Sequence, residues 1–160
     1  NHLAIELLQS VTGATFVHVP YRGSGQALAD VLAGHVPSMV DQIASSISYL
    51  REKQFRGLAV MSDARSKLLP DVPSTKELGF AEVQAASFTG ILAPAKTPRE
   101  IVDFLEKAIL KVSSMPAVVN RFEELGADPK VIGAADFGAY LNADLRRWKS
   151  VAQKANISVD

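Results

Sequence analysis

The sequence predicts an α/β fold with a parallel-rich sheet, followed by carboxyl-terminal helices. Two observations carry this. Short β-branched and aromatic runs alternate with amphipathic helical stripes over the first half of the chain, the order that builds parallel strands. The composition then shifts between Leu92 and Pro98, and the rest of the pattern is mainly helical. The expected division is therefore 1–92 as an α/β lobe and 93–160 as a helical segment.

Leu3, Leu7, Leu8 and Val11 recur at helical spacing, and Gly13 is a natural stop. Thr15-Phe16-Val17-His18-Val19, closed by Pro20, reads as a strand. A helix carrying Ala27, Leu28, Val31 and Leu32 follows and stops at Gly34. Val36 to Val40 reads as a strand, with Pro37 pointing to an edge. Ile43 to Lys53 is a helix with Ile47 and Leu50 inward. Leu58 to Met61 is an apolar strand, and the Pro-bearing stretch Ser62 to Ser74 is a loop. Ser74 followed by Glu77 has capping-box spacing and opens a short helix that ends at Gly79. Val83 to Leu92 is a long strand candidate interrupted by Gly90.

Ile101, Val102, Leu105, Ala108, Ile109 and Val112 form an amphipathic helix, with Thr97 as N-cap and Pro98 as first residue. Pro116 opens a short helix that ends at Gly126, and Val131-Ile132 reads as a short strand. Phe137, Tyr140, Leu141, Leu145, Trp148, Val151 and Ala155 mark the final helix, the strongest periodic signal in the chain.

With 17 basic and 17 acidic residues among 160, the formal net charge is zero. No basic excess exists to neutralise phosphates, which argues against nucleic acid as a partner. No apolar run approaches the length needed to span a bilayer. There are no cysteines, so disulfides and thiolate chemistry are excluded, while the compartment stays open. The chain begins at Asn1 rather than Met, so residues upstream are expected, and its first residues carry no basic-then-apolar signal pattern.

No nucleophile elbow, phosphate loop or zinc-protease motif occurs, and no cofactor motif was found. His2, His18 and His35 lack metal-ligand spacing, and a structural or exposed role is expected for each. Catalytic residues, metal and cofactor are all expected to be none.

The segment Pro20-Tyr21-Arg22-Gly23-Ser24-Gly25 stands between a strand and a helix. That arrangement presents orphan backbone N–H groups and a positive dipole end to an anion. Gly23 and Gly25 permit close approach, Arg22 offers a bidentate grip on a carboxylate, and Tyr21 offers a hydroxyl or ring wall. The plainer reading is a tight turn with an exposed Arg, and spacing alone leaves both open. Asp41 and Gln42 hold the equivalent place after the next strand. Asp41 reads either as a group aimed into the same cleft or as the cap of the helix at Ile43. Phe88 is more often a core residue than a ligand wall.

His18-Val19-Pro20-Tyr21-Arg22-Gly23, followed by Ala27-Leu28 and a Gly-terminated helix, resembles the H-V-P-Y-[KR]-G segment of the substrate-binding proteins of tripartite tricarboxylate transporters, the Bug or TctC family. Met39-Val40-Asp41, Leu58-Ala59-Val60, Leu69-Pro70-Asp71-Val72-Pro73-Ser74 with Glu77 and Gly79, and Phe88-Thr89-Gly90-Ile91-Leu92-Ala93-Pro94 follow in family order. Asn1-His2-Leu3-Ala4, Leu125-Gly126-Ala127 and the Trp148 helix extend the resemblance over essentially the whole chain.

The resemblance implies a periplasmic binding protein type II-like fold. Two lobes close on a small carboxylate and deliver it to membrane permease subunits. Residues 1–92 would belong to the second, ligand-binding lobe, and 93–160 would return to a first lobe. The implied ligand-binding residues are Tyr21, Arg22, Gly23, Ser24, Asp41 and Gln42. Two departures stand out: Gln42 where Asn is common, and Phe88 where Trp is common. The first lobe, and the Ser/Gly-rich loop that precedes His2 in the family, lie outside the sequence. Two other readings follow from the residues. One is an α/β enzyme using Tyr21, Arg22 and Asp41. The other is a fragment that self-associates, as a homodimer, through uncovered faces around Ile101, Leu105, Leu141 and Trp148.

Overall fold

The computed structural model describes residues 1–127 and 129–157. Among them are six helices: α1 (His2–Thr12), α2 (Ser24–Leu32), α3 (Ile43–Arg51), α4 (Arg99–Ser113), α5 (Pro116–Glu124) and α6 (Ala134–Lys154). The chain divides into two compact units. The first holds Asn1–Ser87 together with the chain from Ser150 onward, and the second holds Phe88–Lys149.

The helix signals read from the sequence hold in five places. α1 ends where Gly13 turns left-handed at φ 72°, its N–H returned to the Gln9 carbonyl. α2 ends in a Schellman arrangement. The Gly34 N–H reaches the Val31 carbonyl at 3.1 Å, and the His35 N–H reaches the Asp30 carbonyl at 2.9 Å. α3 covers most of Ile43 to Lys53, with Ile47 and Leu50 half-buried. α5 has Pro116 in its first turn. α6 spans the long periodic stretch.

The parallel-rich sheet expected from the sequence is not confirmed among the described residues. Among the described residues Thr15–Val19, Val36–Val40, Val83–Leu92 and Val131–Ile132 form no ladder. Leu58–Met61 contributes one isolated parallel bridge, Val60 to Ser74. The Val60 N–H bonds the Pro73 carbonyl, and the Thr75 N–H bonds the Val60 carbonyl, each at 2.8 Å. Strand propensity describes side chains that suit a pleated, half-buried surface. A ladder needs a second strand in register, which local sequence does not supply.

The capping box is present but its helix is not. The Glu77 N–H bonds the Ser74 hydroxyl at 3.2 Å, and the Ser74 N–H bonds Glu77 Oε2 at 2.8 Å. The segment closes as a single turn, because Gly79 turns left-handed at φ 88° and the Phe80 N–H returns to the Thr75 carbonyl. Ser74 and Thr75 are buried, and the Thr75 hydroxyl donates to the carbonyl of fully buried Val83 at 2.6 Å. Arg65 grips Glu77 through Nε and donates from a guanidinium nitrogen to the Pro70 carbonyl at 2.9 Å, closing the proline-bearing loop. Ala4, Leu7 and Leu28 are the other buried apolar residues among those described.

In the second unit α4 starts one residue late. Pro98 is its N-cap rather than its first helical residue, so Thr97 lies outside the helix. With ψ at 141° Pro98 is not yet helical, and its carbonyl accepts the first N–H bonds, from Ile101 and Val102. The α6 amino terminus is held by α4, since the Ala134 N–H bonds Glu106 Oε1 at 2.7 Å. Phe88 meets Phe137 and Tyr140 edge to face, at 5.8 and 5.2 Å between centroids. Much of the apolar face is uncovered: Phe104 is 70% exposed and Leu145 66%. Amphipathic periodicity marks a face and leaves its cover unstated.

Gly90 lies against this aromatic cluster, and a Cβ there would overlap the Phe137 ring. Gly90→Ala forces the ring to move, and we expect a loss of about 1–3 kcal/mol by the usual cost of overpacking. Chemical denaturation monitored by circular dichroism checks this; an unchanged midpoint would show that the cluster yields freely.

Candidate functional site

All six residues singled out from the sequence lie in the first unit, on two short segments. Tyr21 to Gly23 form the loop ahead of α2, Ser24 opens α2, and Asp41 with Gln42 precede α3. The structure joins the segments through one carboxylate. The Ser24 hydroxyl donates to Asp41 Oδ1 at 2.8 Å, and the Ser46 hydroxyl, on α3, donates to Asp41 Oδ2 at 2.7 Å. Asp41 is therefore not the cap of α3. That place is taken by Gln42, whose side chain makes no cap bond.

The loop is braced on its other side. The Tyr21 hydroxyl donates to Asp30 Oδ2 at 2.7 Å, near the far end of α2. His35 Nδ1 stands 3.3 Å from Asp30 Oδ1. The bond from Tyr21, and then that to His35, holds the Asp30 carboxyl below the usual carboxylate range. The same bond to Asp30 raises the Tyr21 phenol, because a charged acceptor disfavours phenolate.

Arg22 and Gly23 lie between the two anchors, both exposed. Arg22 makes no hydrogen bond or ion pair among the described residues. A Cβ placed on Gly23 or Gly25 would meet nothing within 4 Å, so internal packing does not require glycine there. Gly23 is the N-cap of α2 at φ 178°, an extended conformation open to any residue. Neither α2 nor α3 has a side-chain cap or an acidic residue in its first turn. Both helices thus begin with orphan N–H groups, and the carboxylate beside their positive ends is that of Asp41, outside either helix.

His18, which opens the loop motif, stacks on His2 of α1 with ring centroids 3.8 Å apart and 4° between planes. His2 Nε2 lies 3.3 Å from Glu6 Oε1. Partial burial, and then charge repulsion from His2, lowers the His18 pKa. The histidine pair is a packing contact between α1 and the start of the loop.

Asp30 and Ser46 were missed from the sequence. Tyr21 and Asp30 are separated by the first turns of α2, and no helical spacing relates a loop residue to the far end of a helix. For Ser46 the only signal was a serine pair, Ser45-Ser46, just inside a helix that follows an aspartate.

Solved structures similar to this chain include a periplasmic binding protein. BugD, described as a periplasmic binding protein, superposes with a TM-score of 0.80 at 26% identity, covering 98% of this chain and 53% of BugD. The structure of Rpa4515 from R. palustris with adipate gives a TM-score of 0.85 at 31% identity, covering 98% of this chain and 52% of that one. The fold is thus one shared with the class of periplasmic binding proteins. Within it, residues 1–157 match the model of the tripartite tricarboxylate transporter family receptor, TctC, and the chain belongs to that family. BugT of Bordetella pertussis is 32% identical over 153 residues, which are 96% of this chain and 47% of BugT. The chain spans about half the length of the curated relatives it matches. The family is one of receptors rather than enzymes, which sets aside the catalytic reading of Tyr21, Arg22 and Asp41. Among the described residues no helix is long and apolar enough to cross a membrane.

The Asp30 brace has a pH consequence. Its folded pKa is depressed, so its contribution is present above the unfolded carboxylate value and is lost as pH falls through the folded value. In wild-type protein we expect stability to fall on the acid side of the ordinary carboxylate range. Asp30→Asn should make that acid limb shallower while leaving the neutral plateau flat. Thermal melts from neutral to strongly acid pH check this, and parallel wild-type and variant curves would remove Asp30 from the titration.

Proposed function

We propose that this chain supplies one lobe of a periplasmic receptor that binds a small carboxylate and presents it to the permease subunits of a tripartite transporter. One observation carries the reading: in a chain of the receptor family, exposed Arg22 and Gly23 stand at the start of α2, held beside the start of α3 through Asp41. Two helix amino termini and one guanidinium are a natural cradle for a carboxylate. A related structure holding adipate supports a carboxylate as the ligand class.

In this reading residues 1–92 face the ligand and 93–160 return to a partner lobe. Unpaired extended segments and exposed apolar residues, Val17 at 90% and Leu92 at 76% among them, fit a surface that another half of a receptor covers. The lobes then close on the ligand through contacts made only in the closed state. Where that cover is absent, the same surfaces favour self-association, and Phe104 and Leu145 favour it further.

The test is a thermal-shift panel of mono- and dicarboxylates on the protein as its gene encodes it. A true ligand at a hundred times its Kd stabilises by about 2.7 kcal/mol. Arg22→Ala should weaken that ligand by about 1.5–3 kcal/mol, the range for a charge-assisted hydrogen bond. Silence across the whole panel would sink the carboxylate reading.

A further inference from the structure

We propose that Asp41 is a positioning residue: its carboxylate ties the start of α2 to α3, and so fixes the ligand-facing loop without touching the ligand. This rests on the receptor reading above. Both Asp41 oxygens accept serine hydroxyls, Ser24 on one helix and Ser46 on the other. A ligand carboxylate brought against Asp41 meets a like charge. One brought against Arg22 meets an exposed guanidinium with no partner among the described residues.

The chain path explains why a tie is needed. Between α2 and α3 the segment Val36–Val40 makes no ladder bonds, so the backbone does not itself hold the two helix starts together. The carboxylate does this across 17 residues of sequence. At the other end of the loop, the Tyr21 hydroxyl is held by Asp30. The loop is therefore anchored at Tyr21 and at Ser24, and the two residues between the anchors are the ones left exposed. Such preorganisation raises affinity by removing an ordering cost from binding, whichever carboxylate binds. Tyr21, Ser24 and Asp41 then set the loop, while Arg22 and the amide groups at Gly23 to Gly25 recognise the ligand.

The experiment is titration calorimetry on the protein as its gene encodes it, with adipate, succinate and benzoate at several salt concentrations. Amide hydrogen exchange over residues 21–26 and 42–46 is measured in parallel without ligand. Ser46→Ala and Asp41→Asn should weaken every carboxylate that binds by the same factor, about tenfold for a lost charge-assisted bond. Ligand ranking and salt dependence should stay as in the wild type, and exchange in both segments should rise. Ser46→Thr, which keeps the hydroxyl, should restore affinity and protection, whereas Arg22→Gln should flatten the salt dependence. An Asp41→Asn variant that reorders the ligands, or binds dicarboxylates more tightly, would overturn the proposal by placing Asp41 against the ligand. Unchanged exchange in Ser46→Ala would overturn it as well. A wild-type protein that binds no carboxylate would defeat the receptor reading instead, and the exchange data would still decide whether Asp41 holds the loop.

Discussion

The carboxylate of Asp41, shared between the hydroxyls of Ser24 and Ser46, is the contact on which the arrangement of the site depends. Helix amino termini attract anions only as far as their orphan N–H groups point to one place. α2 and α3 are short, with nine residues each, and neither is capped by its own side chains. Their relative placement cannot come from a sheet ladder, since the intervening extended segment makes none. One internal carboxylate near both positive ends meets two needs. It interacts favourably with the helix dipoles, and it fixes the separation of the two starts.

A second polar centre organises the rest of the first unit. Ser74 and Thr75 are buried and fully bonded, through Glu77 on one side and the Val83 carbonyl on the other. Buried polar groups of this kind are stable only when each donor and acceptor finds a partner, and once satisfied they favour one geometry. Glu77, held low by the Ser74 backbone N–H and then by Arg65, stays ionised to do this. The buried apolar set is small, confined to Ala4, Leu7, Leu28 and Val83 among the described residues. Polar closure of turns and loops thus carries a large share of the order here.

Helices were legible because their signals are local. Gly13, Gly34 and Pro116 act on their own turns, and α1, α2 and α5 begin or end accordingly. The capping box of Ser74 and Glu77 was legible for the same reason, yet the helix it announced stops after one turn at Gly79. Thr15–Val19 and Val83–Leu92 carry strong β signals and still form no ladder, because pairing is a relation between segments. Of the site, the loop motif and the Asp41-Gln42 pair could be picked out as residue types in suggestive places. Asp30 and Ser46 could not, since each meets its partner through a fold of the chain and lies at no regular spacing from it.

The sequence by itself determined which stretches form the six helices, that thiolate chemistry has no residue to use, and which family's motifs the chain carries. Those follow from the chemistry of single residues and from short spacings, which survive without tertiary context. Only the tertiary structure decided that Asp41 bridges two helices instead of capping one, and that Tyr21 gives its hydroxyl to Asp30. It also left the expected strands without a ladder among the described residues, with one isolated bridge at Val60. A hydrogen-bonding side chain has several acceptors within reach of its type, and the fold brings one of them to bonding distance.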